Sequence, residues 1–290
     1  LVLVSLTASP SCRNAESRKT PKTRTSSSKA PRQAGPSKGL PAQSIYIARH
    51  GQTHMNRVGW INGQNKWDEL DPLGFKQRVG LFALLKDKPI AAVFVSEMRR
   101  TQQTAAPLAA HYGVQPRIVA ELNEFSGGIF RGICTGLFRK YPADDPRSTC
   151  DVASDDPLVK KAEELLMQEA MASRKEGITY RAPGGGESVK DVAKRLRRFL
   201  GSFPKDLSEK EVLIVGHGGT NRFLLALLMG WSLPSARKVR QQHTQVFRLK
   251  RQKGSAPELS VYVHGKWRAC RTAPHPKKGL DCLKKKKGEK

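Results

Sequence analysis

The sequence has few cysteines and few acidic residues, and both shortages limit what the protein can be. The five cysteines among 290 residues are scattered and form no C-x-x-C pair. This scarcity argues against a disulfide framework or a zinc site, and it favours a reducing compartment. The sequence also has no apolar run near the ~20 residues that a transmembrane helix needs, so we expect no membrane span.

The shortage of acid leaves a formal net charge of +27 at pH 7, from 52 Lys and Arg against 25 Asp and Glu. Residues 1–40 carry eight basic side chains and one acid, and residues 266–290 carry ten and two. The two ends therefore hold more than half of the excess charge. A basic protein attracts phosphorylated metabolites, nucleic acid and anionic surfaces alike. This distribution argues against a central nucleic-acid-binding domain.

Composition divides the chain into three predicted segments. Residues 1–43 are rich in Ser, Thr, Pro, Lys and Arg, which is typical of a disordered tail or a targeting segment. A plastid or mitochondrial transit peptide, a signal-peptide remnant and a plain solvated tail all stay open, so a cytoplasmic or organellar location is expected. Residues 44–265 form the predicted domain, and residues 266–290 a basic tail. The sequence leaves the oligomeric state open.

Apolar patterns within the domain alternate between strand-like and helix-like. Asp71 followed by Pro72 predicts a helix start, and Ser188 with Asp191 predicts a capping box. We predict strands at residues 44–48, 91–95, 212–215, 246–249 and 259–263, and helices at 72–86, 100–111, 158–174, 188–199 and 221–229. Alternation of this kind predicts an α/β fold with three α/β/α layers and a largely parallel central sheet.

The first group of residues whose side chains could take part in a reaction is 49–56, directly after the first predicted strand. Neutral imidazole, here His50, is a good nucleophile toward phosphorus. The guanidinium of Arg49 offers forked donors that match phosphate oxygens. Gly51 allows close approach of the backbone to an anion, and Thr53 and Asn56 offer neutral donors.

Similar groups follow two other predicted strands. Arg99 and Arg100 follow residues 91–95 at the start of a helix, where anions are favoured. His217 follows residues 212–215, and Glu124 lies in a glycine-rich stretch between the two. Ligands in open α/β sheets bind beyond the carboxyl ends of the strands, so we expect these side chains to meet. Each has an ordinary structural explanation alone, and only their joint order and spacing indicate a site.

Six ordered blocks between residues 44 and 249 resemble the histidine phosphatase superfamily, the phosphoglycerate-mutase-like proteins. They are R-H-G-Q-T-x-x-N at 49–56, L-D-P-L-G-x-x-Q at 70–77, S-x-x-x-R-x-x-Q-T-A at 96–105, L-N-E at 122–124 with Gly128 and Gly132, P-G-G-G-E-S at 183–188, and H-G-G-x-x-R at 217–222. The resemblance implies a phosphoglycerate-mutase-like fold.

The resemblance also implies roles for individual residues. His50 would be the nucleophile and Glu124 the general acid and base. Arg49, Arg100 and His217 would hold the phosphoryl oxygens, and a protonated His217 is the expected oxyanion partner. The block spacing selects Arg100 rather than Arg99. No metal or cofactor is expected. The residues implied to line the substrate site are Gly51, Gln52, Thr53, Asn56 and Gly218.

Departures from the family pattern favour a phosphatase that hydrolyses phosphoric monoesters. Met55 stands where phosphoglycerate mutases typically carry Trp, and residues 124–128 differ from their acid block. A phosphomutase is the main alternative. A fructose-2,6-bisphosphatase-like activity, suggested by residues 128–136, and a non-catalytic phosphate-binding module are others. The expected substrate is a small phosphorylated metabolite or a phosphoprotein, and residues 136–182 are a predicted cap that sets specificity.

Overall fold

The computed structural model describes residues 40–133, 157–252, 254–270, 274 and 279–283. Most of the predicted tail at 1–43 lies outside the described residues. The same holds for residues 136–156 of the predicted cap and for the lysine run at 284–287. The last part of the predicted tail belongs to the folded domain, because Leu40 and Ala42 are buried.

Within the described residues, seven strands form one sheet in the order β3-β2-β4-β1-β5-β6-β7. Strands β1, β2, β3 and β4 pair in parallel, whereas β5, β6 and β7 continue the sheet antiparallel from β1. The predicted α/β class is confirmed, with the parallel strands in one half of the sheet. The strands are β1 Ser44–Arg49, β2 Ile90–Val95, β3 Arg117–Ile118, β4 Glu211–Gly216, β5 Val246–Lys250, β6 Glu258–Val263 and β7 Lys266–Cys270.

Helices cover both faces of the sheet, and five of them match the predicted helices. None in the described part of the chain is both long and apolar enough to cross a bilayer. The sequence patterns missed α1, α7, β3 and β7. The first three have only two to four residues, too few to show a period, and β7 lies in the segment that its basic charge had assigned to a tail. The helices are α1 His54–Arg57, α2 Pro72–Leu85, α3 Arg99–Tyr112, α4 Pro157–Glu176, α5 Val189–Gly201, α6 Gly218–Met229 and α7 Leu233–Ala236.

The central strand β1 shows why the fold has three layers. Ile45 and Ile47 belong to the apolar cluster under α5 and α6, whereas Tyr46 and Ala48 belong to the cluster under α2 and α3. Successive side chains of a strand point to opposite faces. A strand that is apolar at every position is therefore buried on both faces, as strands flanked by two helix layers are.

The predicted helix starts are confirmed in atomic detail. The carboxylate of Asp71 accepts a hydrogen bond from the Gly74 amide at 2.8 Å. Ser188 and Asp191 form the expected capping box at the start of α5. These caps satisfy amides that the first helical turn leaves without partners, so the polypeptide enters α2 and α5 at defined residues.

The sheet extends beyond residue 265, where the basic tail was expected to begin. Strand β7 pairs with β6, and a disulfide joins Cys270 to Cys282, whose Cα atoms are 4.9 Å apart. The sequence argued against a disulfide framework, yet these two cysteines pair, so the inferred reducing compartment loses its support. Scattered spacing did not reveal the pair, because the fold brings the turn at Asp281–Leu283 back against the sheet.

Candidate active site

The site lies at the carboxyl ends of three neighbouring parallel strands, β2, β4 and β1. In register, Val95 of β2 and Ala48 of β1 both pair with Val215 of β4. The residues just beyond these positions therefore emerge side by side. The amide of His50 donates to the carbonyl oxygen of Gly216 at 2.9 Å, which carries the pairing past the end of β1. The expectation that these strand ends meet is confirmed.

His50 is only 2% exposed, and its ring has a defined tautomer. Its Nδ1 lies 2.7 Å from the carbonyl oxygen of Gly51. A carbonyl oxygen only accepts, so Nδ1 carries the proton and Nε2 presents a lone pair. Burial, followed by the charge of Arg100, lowers the pKa of His50 well below its usual value. The imidazole is therefore neutral at physiological pH.

Gly51 is needed for packing between His50 and the start of α2. A Cβ at Gly51 would lie 2.6 Å from the carbonyl oxygen of Gly74. The Gly51 amide donates to the hydroxyl of Thr104 at 2.9 Å, and that hydroxyl donates to the carbonyl of Arg100 at 2.7 Å. Gly51 thereby ties the loop of His50 to both α2 and α3.

His217, the N-cap residue of α6, lies beside His50 with 5.1 Å between ring centroids. Its Nε2 is 2.8 Å from the Ser96 hydroxyl, and its Nδ1 is 3.4 Å from Nη2 of Arg100. A guanidinium only donates, so Nδ1 is the acceptor and Nε2 carries the proton. Burial and three arginines, first Arg100, lower the pKa of His217 well below its usual value. The ring of His217 is therefore neutral in this arrangement, and its expected protonation as the oxyanion partner during transfer stays a prediction.

Arg100 is 1% exposed and is aimed by backbone carbonyls. Its Nη1 donates to Asn65 at 2.6 Å and its Nη2 to Gly63 at 2.9 Å. Arg99 instead pairs at the surface with Glu69 at 2.9 Å. The choice of Arg100 from sequence spacing thus agrees with its position beside His217.

Arg49 approaches the site from the end of β1. Its Nη1 donates to the carbonyl of Gln241 at 3.1 Å. A Cβ at Gly218 would lie 3.3 Å from Nε of Arg49, so this glycine leaves room for the guanidinium. Burial lowers the pKa of Arg49 to about 10, and Glu124 partly opposes that change. The Nε atoms of Arg49 and Arg100 are buried and lack hydrogen-bond partners among the described residues.

The carboxylate of Glu124 is held by the start of α6 and by its own loop. Oε1 accepts from the Phe125 amide at 2.8 Å and from the Thr220 hydroxyl at 3.2 Å, and Oε2 accepts from the Gly219 amide at 3.2 Å. A Cβ at Gly219 would overlap Oε1. The two glycines after His217 therefore make room for an arginine and a carboxylate in turn.

A buried ion pair supports the loop of Glu124 from behind. Arg195 of α5 donates through Nε and Nη2 to the carboxylate of Glu187, at 2.8 and 3.1 Å. Its Nη2 also lies 3.4 Å from the carbonyl of Glu124. Glu187 accepts in addition from the Ser126 amide at 3.0 Å. The P-G-G-G-E-S block thus contributes an anchor for Glu124.

The structure uses Thr53 and Asn56 locally. Thr53 is the N-cap of α1, and its side chain and that of Asn56 each accept from the other's amide. The amide of Gln52 donates to Oε1 of Gln77 at 2.7 Å. These contacts shape the polypeptide after His50, and their predicted part in substrate binding stays a prediction.

The sequence patterns missed three residues of this site. Ser96 contacts His217, the carbonyl of Gln241 accepts from Arg49, and Nδ1 of His243 lies 2.6 Å from the carbonyl oxygen of His50. Ser96 stood in a recognised block without a role. Gln241 and His243 lie outside the recognised blocks, and no sequence pattern indicated that they belong to the site.

A sequence model of the Histidine phosphatase superfamily (branch 1) matches residues 45–157 and 157–263. The matched segments contain His50, Arg100, Glu124 and His217. They end at Val263, the last residue of β6, and together they span most of the chain.

Curated relatives include two phosphatases. A glucosyl-3-phosphoglycerate phosphatase from Mycobacterium tuberculosis is 29% identical over 196 residues, covering 65% of this chain and 76% of that protein. A metal-independent phosphoserine phosphatase from Arabidopsis thaliana is 29% identical over 222 residues, covering 76% and 82%. A shorter match, 42% identical over 94 residues, covers 31% of this chain and only 16% of a PE-PGRS family protein from Mycobacterium tuberculosis.

Other proteins of known structure have the same fold. The native structure of a mycobacterial glucosyl-3-phosphoglycerate phosphatase aligns with a TM-score of 0.54 and 23% identity, covering 79% of this chain and 97% of that chain. At this identity the likeness concerns the arrangement of strands and helices.

Proposed function

We propose that this chain, which belongs to the histidine phosphatase superfamily, hydrolyses phosphoric monoesters through a phosphohistidine formed on His50. The observation that carries the proposal is the state of His50. Its Nδ1 proton is engaged by Gly51, so Nε2 keeps its lone pair. The ring lies 5.1 Å from that of His217, which Arg100 contacts in turn. A nucleophile toward phosphorus needs such a lone pair, held next to cations that receive the phosphoryl oxygens.

In the first step, Nε2 of His50 attacks phosphorus and the bond from phosphorus to the ester oxygen breaks. Arg49 and Arg100 would contact the phosphoryl oxygens, since each has a buried Nε without a partner among the described residues. Negative charge spreads over these oxygens during transfer, and fixed donors in a water-poor site stabilise it. Burial and then the arginine charge lower the pKa of His217. An arriving dianion would offset the arginine charge, so His217 would gain a proton and join the two arginines.

Glu124 would serve the leaving group. Starting in its protonated form, it would donate its proton to the departing ester oxygen. The resulting carboxylate would then take a proton from the water that attacks the phosphohistidine, which restores the acid. In that second step the bond from nitrogen to phosphorus breaks, inorganic phosphate leaves and His50 is restored. Hydrogen bonds to both oxygens of Glu124 hold its side chain in one place. This is needed because the same group acts as the acid in the first step and as the base in the second.

The substrate we propose is a small phosphorylated metabolite. The names of the two relatives, a glucosyl-3-phosphoglycerate phosphatase and a metal-independent phosphoserine phosphatase, support this class. Both names describe a phosphate ester on a small carboxylic acid. The screen should therefore include phosphoserine, 3-phosphoglycerate and para-nitrophenyl phosphate, with a phosphoserine peptide to represent a phosphoprotein.

The test is phosphate release by the full chain, wild type beside His50→Ala, in the presence of a metal chelator. We expect turnover in the wild type and none in the variant, because the substitution removes the proposed nucleophile. Turnover of His50→Ala within tenfold of wild type would contradict the mechanism. Phosphate transfer only in the presence of a bisphosphate would replace phosphatase by phosphomutase.

A further inference from the structure

A third histidine reaches the site on the loop between α7 and β5. His243 is partly buried, and its ring centroid lies 5.4 Å from that of His50. Its Nδ1 atom is 2.6 Å from the carbonyl oxygen of His50. Because a carbonyl oxygen only accepts, the Nδ1–H of His243 donates to it.

This hydrogen bond completes the fixation of His50. The backbone amide of His50 donates to Gly216 at 2.9 Å, and its ring donates to Gly51 at 2.7 Å. With His243 on the carbonyl oxygen, the residue is held at its amide, its carbonyl and its ring. Little freedom then remains for Nε2 to leave the line of attack.

The loop that carries His243 is itself built into the end of the sheet. Gln241 is 5% exposed, and its Nε2 donates to the carbonyl of Ile47 in β1 at 2.8 Å. Its Oε1 accepts from Asn221 of α6 at 2.9 Å. Its main-chain oxygen accepts from Arg49 at 3.1 Å. One loop thus holds both the nucleophile and an arginine next to it.

The electrostatics of His243 suit a holding role. Burial and the charge of Arg49 lower its pKa to about 3, although its bond to His50 acts in the opposite direction. The side chain is therefore a neutral donor at physiological pH. It fixes His50 without adding a cation that would compete with Arg49 for the phosphoryl oxygens.

We propose that His243 is a positioning residue for phosphoryl transfer, holding the backbone of His50 so that Nε2 meets phosphorus in line. The proposal rests on the proposed function and extends it to a residue outside every recognised block. Small displacements of reacting groups are costly in rate, since a misplacement of about 1 Å can cost on the order of 10²-fold.

The experiment compares His243→Ala, His243→Asn and His111→Ala in the full chain with para-nitrophenyl phosphate, and measures phosphohistidine formation by rapid quench. We expect His243→Ala to slow formation by about tenfold or more with little change in KM. His243→Asn should stay within about threefold of wild type, because its amide can donate from near the position of Nδ1. His111→Ala is the matched control, because Nε2 of His111 also bonds one backbone carbonyl, that of Lys86 at 2.9 Å, on an exposed surface.

Formation at the wild-type rate in His243→Ala would overturn the proposal, and so would equal losses in His243→Ala and His243→Asn. If His243→Ala does not fold, His243→Gln replaces it, because its amide extends toward the position of Nε2 and should behave as a loss. A wild type without turnover, or a His50→Ala variant that retains it, would remove the proposed function as well. If the wild type is active, His50→Ala is inactive and His243→Ala behaves as the wild type, then the proposed function stands and only the role of His243 is contradicted.

Discussion

The amide of Gly219 lies 3.2 Å from Oε2 of Glu124, and a side chain at Gly219 would overlap that carboxylate. The contact joins residues 95 positions apart in sequence. It places the proposed acid and base directly beside the helix that follows the second histidine. The glycine is therefore required by the position of Glu124 and not by its own backbone angles.

Gly219→Ala should lower kcat by at least about tenfold, because the new methyl group displaces Glu124 from the leaving group. Stability should be retained, since alanine is favourable within a helix. Gly80→Ala is the matched control, because Gly80 also lies in a helix and a Cβ there meets nothing within 4 Å. Steady-state kinetics measures kcat, and thermal unfolding measures the stability of both variants. A normal kcat in Gly219→Ala would contradict the role of Glu124.

Arg100→Lys should lower kcat/KM by about 10²-fold, because a lysine cannot reproduce the fork that bonds Gly63 and Asn65 while facing His217. Arg99→Lys provides the comparison one position away. Its partner is Glu69 on the surface, and such exposed pairs contribute little. Kinetics with para-nitrophenyl phosphate measure both variants. Similar losses in the two would mean that the wrong arginine has been assigned to the phosphoryl group.

Glu187→Gln should destabilise the fold by about 3 kcal/mol, because it leaves Arg195 buried without its counter-ion. The side chains in this pair are 9% and 20% exposed. Activity should fall too, since the pair supports the loop of Glu124. Glu69→Gln, which breaks an exposed pair, should cost less than about 1 kcal/mol. Urea unfolding measures both variants, and equal costs would show that Arg195 finds another partner.

Folding stability should fall as the pH is lowered from about 6.5 to 5. The pKa values of His50, His217 and His243 are all lowered in the folded protein. The unfolded chain therefore binds protons below about pH 6.5 that the folded chain does not bind, and stability rises with pH across this window. Urea unfolding at several pH values should show that the free energy of unfolding depends less steeply on pH in His217→Asn than in the wild type. An unchanged slope for His217→Asn would mean that the histidine is charged when folded.

Much of the fold is visible in local patterns of the sequence. Ser188 and Asp191 cap α5, and the apolar positions that follow recur with the period of a helix, so its limits follow from nearby residues alone. The strand positions before His50 and His217 are similarly marked by short apolar runs. Because ligands bind at the carboxyl ends of parallel strands, this information is enough to predict a site, whereas the choice of Arg100 over Arg99 came from the spacing of the block that resembles the family.

The other features of the site and of the sheet edge could not be predicted from the sequence, because they depend on contacts between residues that are distant along the chain. His243 is 193 positions from His50 and reaches it only because β5 pairs with β1. Cys270 meets Cys282 only because the polypeptide turns back on the sheet edge. The sequence determined that a second histidine would stand in the site. Its lack of charge in the folded protein follows from burial and the arginines packed around it, which no local pattern encodes.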